Sequence, residues 1–125
     1  MTRLPALIGR RRAIADRYRD AFAGLGIASG PDEPWARRSG WLSTAMFADD
    51  TVRQAVRDAL DAREIETRTI WPPMRIQAPY RDLPVLGGNV AVDIGERVLC
   101  LPCSAHLSDE LQDEVIDTVR TVIRD

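Results

Sequence analysis

Apolar residues recur at intervals of three and four near both ends of the chain, which is the period of an amphipathic α-helix. The first such stripe consists of Leu4, Leu7, Ile8, Ala15, Tyr18, Phe22 and Leu25, and the last consists of Leu111, Val115, Ile116, Val119, Val122 and Ile123. Pro5 suits a first helical turn, Gly26 a C-terminal cap and Ser108 an N-cap. The pattern predicts a helix from Leu4 to Leu25 and another that begins after Ser108.

A strand and a helix are predicted between these two helices. Gly40 to Phe47 is rich in aromatic and β-compatible residues and is bounded by Gly and Asp-Asp, as strands often are. Asp49 or Asp50 can then cap a helix, because a short carboxylate accepts the free amides of a first turn. The apolar face of that helix carries Val52, Val56, Ala59 and Leu60.

Two further strands are predicted in the second half of the chain. Ile65 to Trp71 alternates residues without a cleanly apolar face, which indicates a strand at a sheet edge or beside a site. Val98 to Leu101 is apolar on both faces and is stopped by Pro102, as expected for a short central strand. Asn89 to Gly95 fits a short helix or a strand.

This order of elements predicts an α+β fold, with a small, mainly antiparallel sheet of three to four strands and helices packed on one face. The 125 residues suit a single domain that covers residues 1–125. A chain of this length buries roughly two thirds of its unfolded surface on folding, so a true core is expected. No internal repeat or low-complexity segment is visible.

Charge and composition narrow the functional classes. A net charge of −2 and a sequence pI of about 5.4 give no general attraction to nucleic acid or to an acidic membrane surface. No long apolar run and no signal-peptide pattern is present, so we expect no membrane partner and a cytoplasmic location. The two Cys are then expected to be reduced thiols.

All 17 basic residues are Arg, and the chain contains no Lys. A GC-rich genome that replaces surface Lys by Arg would give the same bias. In either case the chain cannot form a lysine Schiff base, so chemistry that needs an ε-amine requires an amine from another chain.

The segment from Glu66 to Tyr80 has the most unusual composition, since it combines Trp71, Met74, two Arg and three Pro. A double proline removes backbone donors and holds the preceding residue extended, so the segment is predicted to be a stiff loop. Loops of this kind often carry binding groups. The alternative is that Trp71 and Met74 only close the end of the sheet.

Two other motifs have plainer alternatives. Cys100-Leu-Pro-Cys103, with His106 nearby, has the spacing of a redox dithiol, but a zinc site would need Asp109 or Glu110 as a further ligand. Two buried thiols that pack as small apolar groups are the favoured interpretation. The basic run at residues 10–12 could bind phosphate, but interleaved acidic residues favour a solvated or subunit-facing helix.

Taken together, five motifs resemble the C-terminal domain of the DegT/StrS family of pyridoxal phosphate (PLP)-dependent sugar aminotransferases, and the resemblance covers nearly the whole chain. In chain order they are Arg11-Arg12 followed by Tyr18, Leu60-Asp-Ala-Arg-Glu-Ile-Glu-Thr-Arg68, Trp71-Pro-Pro-Met74 with Gln77, Val98-Leu-Cys-Leu-Pro102, and Leu107-Ser-Asp-Glu110. The branch that it resembles most acts on nucleotide-linked keto sugars.

The resemblance implies a fold like the C-terminal domain of fold-type I aminotransferases. Family members hold PLP on a Lys of a large N-terminal domain, and that domain is expected to be absent from this chain. The chain is therefore expected to bind no cofactor alone, to be inactive alone, and to act with a PLP-binding domain or subunit on a nucleotide sugar. The substrate-binding residues that the resemblance implies are Arg68, Trp71, Met74, Arg75 and Gln77. A non-catalytic nucleotide-sugar-binding or regulatory module is the alternative, and a homo-oligomer remains open.

Two positions depart from the family pattern. Arg75 stands where similar sequences have His after Pro-Met, and Thr69 stands where they have Pro. A neutral His can bond to a sugar hydroxyl, whereas Arg is always charged and prefers phosphate or carboxylate. We expect Arg75 either to engage the diphosphate of the ligand or to form an ion pair that closes the site.

Overall fold

The computed structural model describes residues 3–30 and 33–124. The helices are α1 (Leu4–Ala21), α2 (Asp50–Asp61), α3 (Val90–Arg97) and α4 (Asp109–Arg124). The strands are β1 (Ser43–Met46), β2 (Arg68–Thr69) and β3 (Val98–Leu101), and short 3-10 turns occupy Met74–Ile76 and Ala78–Tyr80. The predicted α+β class is confirmed.

The strands form an antiparallel sheet with the order β1-β3-β2. All four residues of β3 are buried, as expected for a strand that has a neighbour on each side. The predicted central position of Val98–Leu101 and the predicted edge position of the second strand are therefore confirmed.

The helices cover one face of the sheet. Leu99 pairs with Ala45 and both belong to the hydrophobic core, which also contains residues from α1, α2 and α4. Successive strand residues point to opposite faces, so Cys100 and its partners Thr44 and Arg68 lie on the other, outer face. The outer face is where the candidate site is found.

The predicted helix starts are confirmed at two places. The Asp49 carboxylate accepts a hydrogen bond from the Val52 amide at 2.9 Å, and the Ser108 hydroxyl accepts one from the Leu111 amide at 3.2 Å. Each cap satisfies an amide that has no partner within its own helix.

Three predicted boundaries are wrong. Helix α1 ends at Ala21 and not near Gly26, because the buried Phe22 serves as its C-cap and the chain then turns through glycines with positive φ. The second strand has only two residues, because only Arg68 and Thr69 pair with β3, opposite Cys100 and Leu99. Gly40 lies before β1, which begins at Ser43. The ambiguous segment 89–95 forms most of α3, which runs directly into β3.

Arginines of α1 attach this helix to the start of α4. Arg10 donates to the Leu107 carbonyl at 2.6 Å and to the Asp109 carboxylate at 2.8 Å, and Arg17 donates to the Asp113 carboxylate at 2.5 Å. The sequence favours a solvated or subunit-facing position for this basic helix, whereas Arg10 and Arg17 make contacts within the chain. Among the helices in the described residues, none has the length and apolar character needed to cross a membrane.

Candidate functional site

A cleft of about 420 Å³ opens on the outer face of the sheet, between the edge strand β2 and the segment before β1. We call it the tryptophan cleft. Cys100 and Leu101 of the central strand contribute to its lining, and the remaining lining residues are Trp41, Leu42, Glu66, Thr67, Arg68, Thr69, Trp71, Pro102 and Cys103. The cleft therefore lies where the sheet has no helix layer of its own.

Two tryptophans stack at this cleft. The ring centroids of Trp41 and Trp71 are 5.8 Å apart and the ring planes differ by 28°. The side chains are 62% and 67% exposed, respectively. Large aromatic rings left open to solvent are costly, and they are typical of surfaces that receive a ligand or a partner.

Trp41 is held by contacts to its backbone. Arg11 of α1 donates to the Trp41 carbonyl at 3.1 Å, and the Cys103 thiol donates to the same oxygen at 3.3 Å. Gly40 immediately before it has a φ of +71°, and a Cβ at that position would lie 3.0 Å from the Arg11 carbonyl carbon. The close approach to α1 and the positive φ together strongly favour glycine at this position.

Trp71 begins the loop of residues 71–80, which we call the proline loop. Hydrogen bonds within this loop hold its shape. Gln77 donates its side-chain amide to the Pro72 carbonyl at 2.8 Å, and the Ile76 amide donates to the Pro73 carbonyl at 3.1 Å. The rings of Pro72 and Pro73 also fix the φ angles of the two residues whose carbonyls accept these hydrogen bonds. The structure therefore places Gln77 as a brace of the loop that carries Trp71.

Arg68 lies at the cleft and is paired with Glu66. Its Nε and Nη2 atoms donate to the same Glu66 carboxylate oxygen at 3.0 and 2.9 Å. Both side chains are more than three-quarters exposed, so the pair contributes little to stability. An anionic group of a ligand can therefore replace Glu66 as the partner of Arg68 with little loss of folding stability.

Met74 and Arg75 line a different cleft of about 330 Å³, which we call the Arg75 cleft. The other residues of its lining are Pro73, Tyr80, Leu83, Pro84, Val85, Leu86, Gly88 and Ala91. Within residues 3–30 and 33–124, the Arg75 guanidinium has no hydrogen bond or ion pair. The ion pair that was expected to close the site is therefore not formed within these residues.

The structure therefore divides the five residues for which the family resemblance implies substrate binding. Arg68 and Trp71 share the tryptophan cleft, Met74 and Arg75 share the Arg75 cleft, and Gln77 holds the loop between them. The sequence reasoning missed Trp41, which is the aromatic partner of Trp71. The sequence feature that could have identified Trp41 is the pair Gly40-Trp41 shortly before a strand.

Large apolar side chains remain exposed along residues 71–94. Leu86 is 97% exposed, and the others that are at least half exposed are Trp71, Met74, Leu83, Val85 and Val90. Isolated exposed apolar residues are ordinary, but a run of them over one segment indicates an interaction surface. We call residues 71–94 the exposed apolar segment.

The cysteines are free thiols, with Cys100 buried and Cys103 partly exposed. Burial raises the pKa of Cys100, and the neighbouring Cys103 raises it further. The part of the chain that the structure describes contains no cluster of three His, Cys, Asp or Glu residues suited to a metal ion. His106 is exposed.

Comparison with known proteins gives a consistent family match. Residues 1–120 match the model of the DegT/DnrJ/EryC1/StrS aminotransferase family. The chain is 30% identical over 131 residues to dTDP-3-amino-3,4,6-trideoxy-alpha-D-glucose transaminase of Micromonospora megalomicea subsp. nigra, which covers 98% of this chain and 34% of the relative. It is 28% identical over 129 residues to GDP-perosamine synthase of Caulobacter vibrioides, with the same shares covered.

Solved structures agree with the sequence match. S. venezuelae DesV, solved with a ketimine intermediate, superposes with a TM-score of 0.88 at 31% identity and covers 99% of this chain and 34% of its own. The aminotransferase TlmJ of Streptoalloteichus hindustanus has a TM-score of 0.85 at 29% identity, over 98% of this chain and 33% of its own. This chain thus spans about a third of the length of the relatives it matches.

Proposed function

The chain belongs to the DegT/DnrJ/EryC1/StrS aminotransferase family, and from this premise we propose that it is the C-terminal part of a sugar aminotransferase. The reaction would be transamination of a nucleotide-linked keto sugar. The relatives named for dTDP- and GDP-linked amino sugars support this substrate class. Because the chain corresponds to about a third of those relatives, the remaining part of the enzyme would be a PLP-bearing domain or subunit.

The stacked pair Trp41 and Trp71 is the observation that carries this proposal. The rings lie beside a cleft of about 420 Å³ on the face of the sheet that the helices leave uncovered. Aromatic faces contact sugar rings and nucleotide bases through their apolar surfaces, and polar groups at the rim set the orientation. Arg68 and Glu66 are such rim groups.

We assign the five proposed substrate-binding residues to three tasks. Trp71 supplies an aromatic face and Arg68 a cation within the tryptophan cleft. Met74 and Arg75 would touch the part of the ligand that extends over the proline loop, because they line the Arg75 cleft. Gln77 would act by keeping the loop in shape through its bond to Pro72.

PLP would have to be held elsewhere. When bound to an enzyme, PLP supplies the electron sink of transamination, and covalent retention requires a lysine amine. This chain has no Lys and does not fit that task. Its own residues would bind the substrate, orient it and exclude water from one side of the pocket.

The exposed apolar segment supports a partner surface. Leu86 and Val90 are 97% and 69% exposed, and burying such side chains stabilises an association by roughly 1.5–3 kcal/mol each. The partner would be the PLP-bearing domain or subunit. Any homo-oligomer would then form between copies of the assembled enzyme.

A graft into a relative tests the proposal. The third of DesV that aligns with this chain is replaced by this chain, and PLP binding and transamination of a dTDP-linked keto sugar are measured. We expect the graft to bind PLP and to turn over substrate above the level of DesV truncated before that third. The truncated DesV is the control for activity that needs no C-terminal part.

The alternative is a non-catalytic module that binds a nucleotide sugar or a family enzyme, with which the missing Lys is equally compatible. A graft that folds and binds both PLP and nucleotide sugar but shows no turnover would support this alternative and would refute the catalytic proposal.

A further inference from the structure

A second cleft, of about 530 Å³, lies between α1 and the segment of residues 36–42. Four arginines line it, together with a single carboxylate, that of Asp16. We call it the arginine cleft. Its complete lining is Arg12, Ala15, Asp16, Arg19, Ala36, Arg37, Arg38, Ser39, Gly40, Trp41 and Leu42.

The positive charge of this cleft is not neutralised by its own lining. Asp16 pairs with Arg19 at 3.0 Å. Arg12 uses its Nε to donate to the Arg38 carbonyl at 2.5 Å, and its terminal nitrogens have no further partner in residues 3–30 and 33–124. Over the same residues Arg37 makes no hydrogen bond or ion pair. Two guanidinium groups therefore remain available to an anion.

The arginine cleft and the tryptophan cleft adjoin at Trp41 and Leu42, which line both, and we call the two clefts together the groove. We propose that the arginine cleft binds the diphosphate of a nucleotide-linked sugar whose base or sugar ring lies on Trp41 and Trp71. This inference rests on the proposed function for the identity of the ligand, and on the groove for its placement.

The chemistry of the cleft suits a diphosphate. Guanidinium groups form paired, charge-assisted hydrogen bonds to phosphate oxygens, and two of them can share the negative charge of a diphosphate. The bond from Arg12 to the Arg38 carbonyl holds its side chain in place before the ligand arrives, which lowers the entropic cost of binding.

Arg75 is a less suitable diphosphate contact. The Arg75 cleft shares no lining residue with the groove, and the lining around Arg75 is mainly apolar. Arg12 and Arg37, in contrast, line the same groove as Trp41 and Trp71. Arg75 would then contact a part of the ligand other than the diphosphate.

The test is calorimetric binding of inorganic pyrophosphate, dTDP and thymidine to this chain at low salt, with three variants. Arg37→Gln removes a cation that makes no hydrogen bond among the described residues, and Arg12→Gln removes the tethered one. Arg57→Gln, on α2 and outside the groove, is the matched control for a lost exposed charge. Circular dichroism establishes that each variant is folded.

We expect pyrophosphate and dTDP to bind, with affinity at least about tenfold weaker in Arg37→Gln and in Arg12→Gln and unchanged in Arg57→Gln. Thymidine affinity should be insensitive to all three. If Arg37→Gln binds pyrophosphate and dTDP as tightly as the wild type does, the proposal is overturned, whatever the result for Arg12→Gln. A graft that fails to turn over substrate, while this chain binds dTDP through Arg37, would refute the catalytic function and leave the cleft assignment standing.

Discussion

Trp41 and Trp71 stack with their ring centroids 5.8 Å apart, although one precedes β1 and the other follows β2. Neither strand pairs with the other, since β3 lies between them. The contact therefore links the segments next to the two outer strands, at the cleft that Cys100 and Leu101 of the central strand also line. It joins a segment fastened to α1 with a loop stiffened by two prolines, so the aromatic surface is formed by two separately braced parts.

Trp71→Ala should weaken nucleotide-sugar binding while the protein stays folded. The side chain is 67% exposed, so its removal should lower the free energy of unfolding by only about 0.5–1.5 kcal/mol. Loss of an aromatic stacking face should raise the KM of the DesV graft at least about tenfold. Trp35→Ala is the control, because Trp35 is 83% exposed and lies outside the lining of the groove. Equal KM values for the two variants would contradict the role of Trp71.

Gly40→Ala should destabilise the protein by about 1–3 kcal/mol. The φ of +71° disfavours any side chain, and the new Cβ would lie 3.0 Å from the backbone of Arg11. Chemical denaturation measures the change, and tryptophan fluorescence should report movement of the adjacent Trp41. Gly9→Ala, within α1 and with no atom near its Cβ position, should instead stabilise by about 0.5–1 kcal/mol. Similar effects at both sites would mean that the close approach is unimportant.

Stability should depend on Asp109 in acid. The hydrogen bond from Arg10, with the charges of Arg10 and Arg17, lowers the pKa of Asp109 below its usual value. A carboxyl group with a lowered folded-state pKa stabilises the protein above its unfolded-state pKa, and this contribution disappears as the pH falls through the folded-state value. Asp109→Asn should therefore lower the thermal midpoint at neutral pH, with a difference from the wild type that shrinks in acid. A difference that does not vary with pH would contradict this explanation.

Cys100 should react slowly with thiol reagents in the native protein. Its side chain is buried and its pKa is raised, so little of it is thiolate at neutral pH. In Cys103→Ala, which leaves Cys100 as the single thiol, labelling should accelerate as denaturant unfolds the chain. Rapid labelling of the native protein would instead favour a redox role for the Cys100-Leu-Pro-Cys103 motif.

Arg75→His should change the binding of nucleotide sugar by the DesV graft. The guanidinium lines a mainly apolar cleft and has no ion partner among the residues that the structure describes, so a ligand group is its expected partner. Replacement by His removes a permanent charge at neutral pH. Calorimetry on the graft with and without the substitution measures the effect. Unchanged affinity and sugar specificity would rule out a ligand role for Arg75.

The fold was largely predictable because its signals are local. The helical stripe, the caps at Asp49 and Ser108 and the apolar run of Val98–Leu101 each depend on residues close together in the chain. Boundaries were less predictable, because they depend on distant partners. The second strand pairs with β3 only at Arg68 and Thr69, and the composition of residues 65–71 does not contain that information.

The candidate site was predictable only in part. The proline loop is identifiable by its composition, and Arg68 and Trp71 lie at the tryptophan cleft. The division of the loop between two clefts was not predictable, because side-chain direction in a loop depends on the backbone turns at Met74–Ile76 and Ala78–Tyr80. Trp41 and Arg37 belong to a different segment, so only the packing of that segment on α1 brings them to the groove.

By itself, the sequence determined the α+β class, the central strand and the lack of a lysine amine for PLP, since these follow from periodicity and residue type. The tertiary structure alone decided which side chains meet. Arginines that appear as one basic run in the sequence separate into Arg10, which binds the start of α4, and Arg12, which borders the arginine cleft. Neighbouring residues on a helix point in different directions around its axis, and their partners lie far away in the chain. The pairing of Trp41 with Trp71 has the same origin.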